Sequence, residues 1–221
     1  MKKLTVFVLT LSLILTCCFS MPAFAQTSQA SKYNLETQED ALNLLDAANK
    51  GDEEAIQKLQ GLKAFNKDEL NKVLKDKKFT SADKVTTFDF GDGSSIEIEI
   101  VHLNKDVAKD TRQLQSDHEH IFDFIFRYYV GGIAVATYTL TMDYMGDGNG
   151  NVWNGYSWHT GSRIYPYSCV PQGYTSNLVT QGLFVKSQGT CWIDCYSSFN
   201  LTVKGYCYDD IVNNWYETYV S

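Results

Sequence analysis

The sequence has no cluster of basic residues, and this absence excludes one broad class of partners. Lysine and arginine together number 19 against 26 acidic residues, which gives a formal net charge of −7. Proteins that bind phosphate backbones or anionic membrane surfaces neutralise those charges with grouped lysine and arginine side chains. We therefore expect neither nucleic acid nor an anionic membrane surface to be a partner of this protein.

The sequence also lacks the local motifs of the common catalytic and cofactor-binding sites. It contains no His-Glu-x-x-His helix. The segment 147–151 begins like a calcium loop, but Val152 stands where that loop needs glycine and Trp158 where it needs glutamate. The segment 155–159, Gly-Tyr-Ser-Trp-His, lacks the second glycine of a nucleophile elbow. The sequence therefore favours a protein without catalytic activity and predicts no cofactor.

Three residues are weak candidates for metal ligands. His118 and His120 are two positions apart, so in a strand they point to the same side and could bind zinc if a third ligand converged. Asp147, together with Asp143, could contribute oxygen ligands to calcium. We interpret the two histidines as the polar start of a strand and Asp147 as a turn residue, and we predict no metal site.

The first 25 residues have the pattern of a signal peptide. Two lysines precede the apolar run Leu4–Phe19, and Ala23-Phe24-Ala25 offers the small residues that signal peptidase recognises. We predict cleavage between Ala25 and Gln26 and a secreted, extracellular protein. Because the leader carries two lysines and no acidic residue, its removal changes the net charge from −7 to −9.

Two other readings of this leader are disfavoured. Its apolar run, about 16 residues long, is shorter than the roughly 20 residues that a helix needs to cross a bilayer. Acylation of Cys17 or Cys18 would make the protein a lipoprotein, but a small residue should stand just before the acylated cysteine, and Cys18 follows Cys17 itself. We therefore predict no stable membrane insertion.

Four cysteines remain beyond the leader, and in an exported chain they indicate two disulfides. A turn centred on Phe199 would set Cys191 opposite Cys207 on neighbouring strands. Cys191 and Cys195 would lie about 13 Å apart in one strand, too far to bond. We therefore predict the bridges Cys191–Cys207 and, by elimination, Cys169–Cys195.

Residues 26–80 form a flexible lead-in followed by a short helical segment. Apolar residues recur at helical spacing in three stretches, and Thr37, Asp52 and Asn66 can cap their first turns. This segment is too small to build a core of its own. We expect it either to dock on the rest of the chain or to remain loosely ordered.

Residues 81–221 have the alternating pattern of an antiparallel β domain. The runs 85–90 and 95–100 flank an Asp-Gly pair, which is a strong hairpin signal. Residues 215–220 predict a last strand, whereas the proline-bearing segment 161–180 predicts a long loop. The expected fold is mainly β: an antiparallel β-sandwich stapled by two disulfides and preceded by the small α-helical segment.

One hairpin of this domain needs an irregularity. The large apolar residues of 122–128 and those of 138–144 all occupy even positions. A two-residue turn at Gly131-Gly132 pairs even positions with odd ones and would send the two sets to opposite faces. We therefore predict a bulge or a longer loop near Gly131.

Aromatic residues are abundant, with 22 among the 102 residues from 120 to 221. Tyrosine and tryptophan on the outer face of a rigid sheet are suited to recognition. Four are candidate binding residues: Tyr129, Trp153, Trp158 and Trp215. The leading hypothesis is a secreted, non-catalytic binding module whose extracellular partner is a glycan, a peptide or a protein.

Two alternative functions remain open. One is a secreted antagonistic protein of the bacteriocin or toxin type, in which the helical segment acts on a target envelope. The other is an extracellular hydrolase whose active-site residues converge only in three dimensions. A deep pocket lined by His118, His120 and acidic groups would favour the hydrolase.

Overall fold

The computed structural model describes residues 32–83, 85–103, 118–180, 183–195, 198–209 and 214–221. The predicted leader, its cleavage site and the lead-in up to Ser31 lie outside the described residues. Three helices are present within them, and these are α1 Gln38–Asn49, α2 Glu53–Gln60 and α3 Lys67–Leu74. The strands are β1 Phe79–Thr80, β2 Val85–Asp89, β3 Ser94–Leu103, β4 His118–Val130, β5 Ile133–Gly146, β6 Val152–Arg163, β7 Ser168–Thr180, β8 Phe184–Asp194, β9 Ser198–Cys207 and β10 Trp215–Val220.

The strands form two five-stranded sheets in which neighbours run antiparallel. Sheet I has the order β1-β10-β9-β8-β7, and sheet II has the order β2-β3-β4-β5-β6. The two sheets pack face to face: a Cβ built on Gly205 of sheet I would lie 2.6 Å from the Phe124 ring of sheet II. The mainly β, antiparallel part of the prediction is confirmed, and the packing is consistent with the predicted sandwich.

The β4–β5 hairpin contains the predicted irregularity. Val130 pairs with Ile133 around a two-residue turn, but the register shifts between Tyr128 and Tyr129. Beyond the shift Phe126 pairs with Tyr138, an even position with an even one, and both side chains are fully buried. The bulge therefore lets both apolar sets face the same core, as the parity of the sequence requires.

The helices begin at the predicted caps. Thr37 forms a capping box with Asp40, Asp52 accepts a hydrogen bond from the backbone N–H of Ala55, and Asn66 caps α3. These side chains satisfy backbone donors that have no partner within the helix. Helix start sites could therefore be identified from local sequence alone.

The helical segment docks on the sheets and shares their core. Ala64 donates its backbone N–H to Ser94 Oγ at 3.1 Å, and Asn71 donates its side-chain N–H to the Val220 carbonyl at 3.2 Å. The chain from Lys32 to Ser221 forms one compact unit. Within the described residues, no helix is long and apolar enough to cross a membrane.

The predicted long loop over 161–180 is wrong. Strand β6 continues to Arg163, a turn with a cis bond between Tyr165 and Pro166 follows, and β7 occupies the remainder. Pro171 lies within β7, which is at the edge of sheet I. An edge strand tolerates proline because one of its sides has no neighbour to receive an N–H donor.

The predicted register of β8 with β9 is also wrong. Cys191 pairs with Leu201, whereas Cys207 pairs with Val185, six residues and about 20 Å away along β8. The shift of six positions is even, so every side chain keeps its predicted face and the alternation of the sequence cannot reveal it. Cys191 and Cys207 are therefore not neighbours. No two of the four described cysteines are at bonding distance, so the predicted Cys169–Cys195 bridge is not observed either.

Candidate binding face

The four candidate aromatic residues do not form one face. Trp215 lies on β10 of sheet I, whereas Tyr129 lies on β4 and Trp153 and Trp158 lie on β6 of sheet II. The structure therefore divides the four candidates between two sheets. The sequence could identify outward-facing residues by alternation, but it could not assign each strand to its sheet.

Trp215 belongs to a stack whose ring faces are occupied. Its ring stacks on that of Tyr206 with centroids 3.9 Å apart and an angle of 11° between the planes. The Nζ atom of Lys78 lies 4.2 Å from the Trp215 ring centre, and that of Lys186 lies 5.0 Å from the Tyr206 ring centre. These contacts stabilise the outer face of sheet I and leave little ring surface for a ligand.

Tyr129 takes part in a polar network of its own sheet. Its hydroxyl donates to Glu97 Oε1 at 3.2 Å, and the same oxygen accepts from Arg127 Nη1 at 2.7 Å. Burial and the adjacent Glu97 carboxylate raise the pKa of Tyr129. Asp123 pairs with Thr141, which pairs with Trp158, so these three residues lie side by side across sheet II. Tyr129 lies six residues from Asp123 along β4, and it is therefore about 20 Å from Trp158.

Two exposed aromatic residues lie on strand β6 at the edge of sheet II. Tyr156 is 59% exposed and Trp158 is 44% exposed. They are two positions apart and so project from the same face at a spacing of about 7 Å. Trp153, half-buried, pairs with Met145 beyond a register shift. The sequence interpretation missed Tyr156, although its alternation with Trp158 was a usable signal.

Polar groups on β4 and β5 border these two rings. Asp143 pairs with Tyr156, and Thr141 pairs with Trp158. The Thr141 hydroxyl donates to Asp123 Oδ1 at 2.6 Å, which fixes the orientation of that carboxylate. We call these five residues the β6 face. It combines two exposed rings with carboxylate and hydroxyl groups on one side of a sheet.

Contacts on the inner side hold β6 in place. His159 Nδ1 lies 2.9 Å from the Tyr138 hydroxyl oxygen, and His159 Nε2 lies 3.3 Å from the Gly173 carbonyl oxygen. The Thr175 hydroxyl donates to the Ser157 carbonyl at 2.7 Å. The edge strand is therefore attached to both sheets, and its outer side chains stand on a fixed backbone.

A second polar cluster lies at one end of the space between the sheets. His102 Nε2 lies 3.4 Å from His120 Nδ1, and His120 Nε2 lies 3.9 Å from Asp209 Oδ1. The rings of His118 and His120 are 6.5 Å apart and share a side, as predicted. Among the described residues, however, no three histidine, cysteine or acidic side chains are placed to hold one metal ion.

This cluster makes stability depend on pH. Burial lowers the pKa of His102 below its usual 6.5, and burial with the adjacent His102 lowers that of His120, although Asp209 opposes this. The folded state therefore disfavours protonation, so stability is fully present above pH 6.5 and is lost as pH falls through the folded pKa values. Urea unfolding at pH 7.5 and pH 5.0 should give a lower free energy of unfolding at pH 5.0.

Two variants separate this effect from general acid sensitivity. His102→Phe keeps the stack on Phe122, whose ring centre is 4.3 Å away, and should reduce the difference between the two pH values. His118→Ala changes an exposed histidine that is only a minor cause of the His120 shift, so it should change that difference less than His102→Phe does. An equal pH dependence in wild type and His102→Phe would show that His102 is not its source.

Asp147 is a turn residue in the structure. Its Oδ1 accepts from the backbone N–H groups of Asn149 at 2.8 Å and Asn151 at 3.1 Å, and its Oδ2 accepts from the Asn151 side chain at 2.7 Å. These hydrogen bonds lower the pKa of Asp147. The carboxylate thus stabilises the β5–β6 turn, which is the role that the sequence interpretation favoured.

Two cavities in the described part of the chain lie away from the histidines. The larger, of about 360 Å³, lies between the start of α1 and the turns at Gly93 and Gly131. The smaller, of about 200 Å³, lies between the end of α3 and β10. Neither is lined by His118 or His120, so neither is the pocket that the hydrolase hypothesis requires.

Comparison with known proteins supplies no relative for this chain. No protein-family model matches it, no curated protein matches it, and no solved structure matches it. The function of the β6 face is therefore argued from its own geometry.

Proposed function

We propose that this protein is a secreted, non-catalytic binding module that recognises an uncharged extracellular glycan through the β6 face. The single observation that carries the proposal is the pair of exposed rings, Tyr156 and Trp158, on one side of an edge strand. Large exposed aromatic side chains next to oriented polar groups are the usual composition of a recognition surface.

The neighbouring groups favour a polyhydroxylated ligand. The C–H faces of a sugar can lie on the rings, while its hydroxyl groups donate to the carboxylates of Asp123 and Asp143. Charged acceptors of this kind form stronger hydrogen bonds than neutral ones.

Charge disfavours an anionic ligand at this face. Asp123 and Asp143 lie beside the rings, and the whole chain has a net charge of −7. A uronic acid or phosphate group would meet carboxylates at the contact and a negative field on approach. We therefore assign the face to neutral sugars rather than to acidic ones.

The proposal includes export of the protein to an oxidising environment. The leader pattern in residues 1–25 supports secretion after cleavage before Gln26. The mature chain would then reach an environment in which disulfides form. The two bridges named from the sequence are not retained, because the observed register separates Cys191 from Cys207 and the Cys169 sulfur lies beside Cys191.

The two alternative functions have less support. An antagonist that acts through its helices would need them free, but the helical segment is packed into the common core. A hydrolase would need a pocket at the histidines, and the two cavities above lie elsewhere. A flat binding face on a fixed strand agrees better with recognition than with turnover.

A glycan-binding screen of the mature chain, residues 26–221, tests the proposal. The protein should be kept whole, because residues 38–74 contribute to the core and their removal would expose it. We expect neutral polysaccharides to bind and to change the tryptophan fluorescence, and acidic polysaccharides to bind less well. Binding of peptides or proteins without any glycan would contradict the proposal, as would hydrolysis of a bound glycan.

A further inference from the structure

The closest contact between sulfur atoms in the described chain joins two strands of sheet I. Cys169 Sγ on β7 lies 3.0 Å from Cys191 Sγ on β8. Atoms that are not bonded to each other rest about 3.5–4.0 Å apart, whereas bonded disulfide sulfurs are about 2.05 Å apart. The distance between the two sulfur atoms is therefore shorter than the contact distance of two thiols that are not bonded to each other.

The strand register explains why these two side chains meet. Cys169 pairs with Ile193, and Cys191 pairs with Pro171, so the cysteines occupy diagonal positions on adjacent antiparallel strands. Both side chains are buried, which means that they point to the same inner face. Diagonal neighbours on one face are within reach of each other across a sheet.

We propose that Cys169 and Cys191 form the disulfide of the mature protein and that Cys195 and Cys207 remain thiols. Cys169 has a second diagonal neighbour in Cys195, but its sulfur points to Cys191. Cys207 Sγ instead contacts Met142 Sδ at 3.7 Å. Its strand partner Val185 is ten residues from Cys195, or about 33 Å along β8, so these two thiols cannot bond to each other.

The bond forms by thiol–disulfide exchange with an external disulfide. The Cys169 and Cys191 thiols lose two protons and two electrons and gain one S–S bond, while the oxidant, a disulfide of an exported oxidoreductase or a small-molecule disulfide, is reduced to two thiols. Burial raises the pKa of Cys195 to about 12, and burial also raises that of Cys207. The neighbouring Cys169 sulfur and burial raise the pKa of Cys191 as well, so the sulfur geometry, and not thiol acidity, selects the bonded pair.

The Cys169–Cys191 bond would belong to sheet I and would also contact sheet II. Cys169 Sγ lies 3.2 Å from the Thr137 carbonyl oxygen of β5, and a Cβ built on Gly161 of β6 would lie 3.0 Å from the same sulfur. The bond would thus fix β7 to β8 directly under the edge strand β6. This assignment stands on sulfur geometry alone and does not depend on the proposed glycan binding.

Peptide mapping of the mature protein, purified after export and alkylated without reduction, tests the pairing. Trypsin places Cys169 in residues 164–186, Cys191 with Cys195 in 187–204, and Cys207 in 205–221. A second protease that cleaves before Asp194 separates Cys191 in 187–193 from Cys195 in 194–204. We expect 164–186 linked to 187–193. A link from 164–186 to 194–204, or no linked peptide, would overturn the proposal.

Counting thiols in denaturant gives an independent measurement. Of the four cysteines of the mature chain, two should react in wild type, three in Cys169→Ser and one in Cys207→Ser. Four reactive thiols in wild type would overturn the proposal, and so would none. The Cys169→Ser variant should melt about 6–12 °C below the oxidised wild type, since it loses a cross-link between residues 22 apart.

Two further variants, Cys191→Ser and the double variant, show whether the loss in stability comes from one shared bond. Cys169→Ser, Cys191→Ser and the double variant should have similar melting temperatures, because each removes the same bond. Reduced wild-type protein should melt near these variants. Additive losses from the two single substitutions would indicate two separate thiols and would contradict the bridge.

Discussion

Replacement of Phe124 by alanine is expected to lower the free energy of unfolding by about 3–5 kcal/mol. Phe124 on β4 is fully buried between the two sheets and contacts the Tyr216 ring of sheet I at a centroid distance of 5.4 Å. Alanine would leave a cavity that the surrounding strands can fill only partly. Urea unfolding monitored by circular dichroism measures the loss. The neighbouring outward residue provides the control: Ile125→Ala should cost about 1 kcal/mol.

A double substitution tests whether this loss reports contact between the sheets. A Cβ built on Gly205 would lie 2.6 Å from both the Phe124 ring and Met142 Sδ. Gly205→Ala alone should therefore destabilise the protein by about 1–3 kcal/mol through overpacking. Combined with Phe124→Leu, which alters the side chain facing Gly205, it should cost less than the sum of the two single losses. Additivity within about 0.5 kcal/mol would contradict the packing of Phe124 on Gly205.

The second large effect concerns recognition. Trp158→Ala is expected to weaken glycan binding by about 30-fold, equivalent to about 2 kcal/mol, which is typical of a central aromatic residue in an interface. Trp158 is 44% exposed, so its removal should change the melting temperature little. Calorimetric titration with the best neutral glycan from the screen measures the change. An unchanged dissociation constant would show that the β6 face is not the binding site.

Two further variants define the contribution of each group. Tyr156→Phe keeps the ring and removes its hydroxyl, so it should bind nearly as well as wild type if stacking dominates. Trp215→Phe preserves an aromatic ring against Tyr206 in the occupied stack of sheet I and should leave glycan affinity unchanged. Loss of binding in Trp215→Phe but not in Trp158→Ala would move the site to sheet I.

Local features of the chain could be predicted because neighbours in sequence decide them. Helix caps at Thr37 and Asp52 depend on residues within one turn, and the hairpin at Asp92-Gly93 depends on the turn residues themselves. The bulge near Gly131 followed from the parity of two adjacent strands. Each of these conclusions required information from a segment of 23 residues or fewer.

Part of the candidate site could also be predicted from the sequence. Trp158 was identified as an outward aromatic residue, and the same alternation would have added Tyr156. The sequence could not show that the Trp215 ring is covered by Tyr206 and Lys78, because Lys78 lies 137 positions away along the chain. Exposure of a ring depends on distant residues, so it cannot be obtained from a strand pattern.

By itself, the sequence determined the mainly β character, the helix starts, the buried face of each major strand and the need for a bulge. Tertiary structure alone decided which strands share a sheet, that β7 replaces a loop, and that Cys191 lies beside Cys169 rather than Cys207. The reason is physical. Alternation with period two specifies a face, but a shift of two, four or six positions preserves that face, and only the packing of whole sheets selects among such registers.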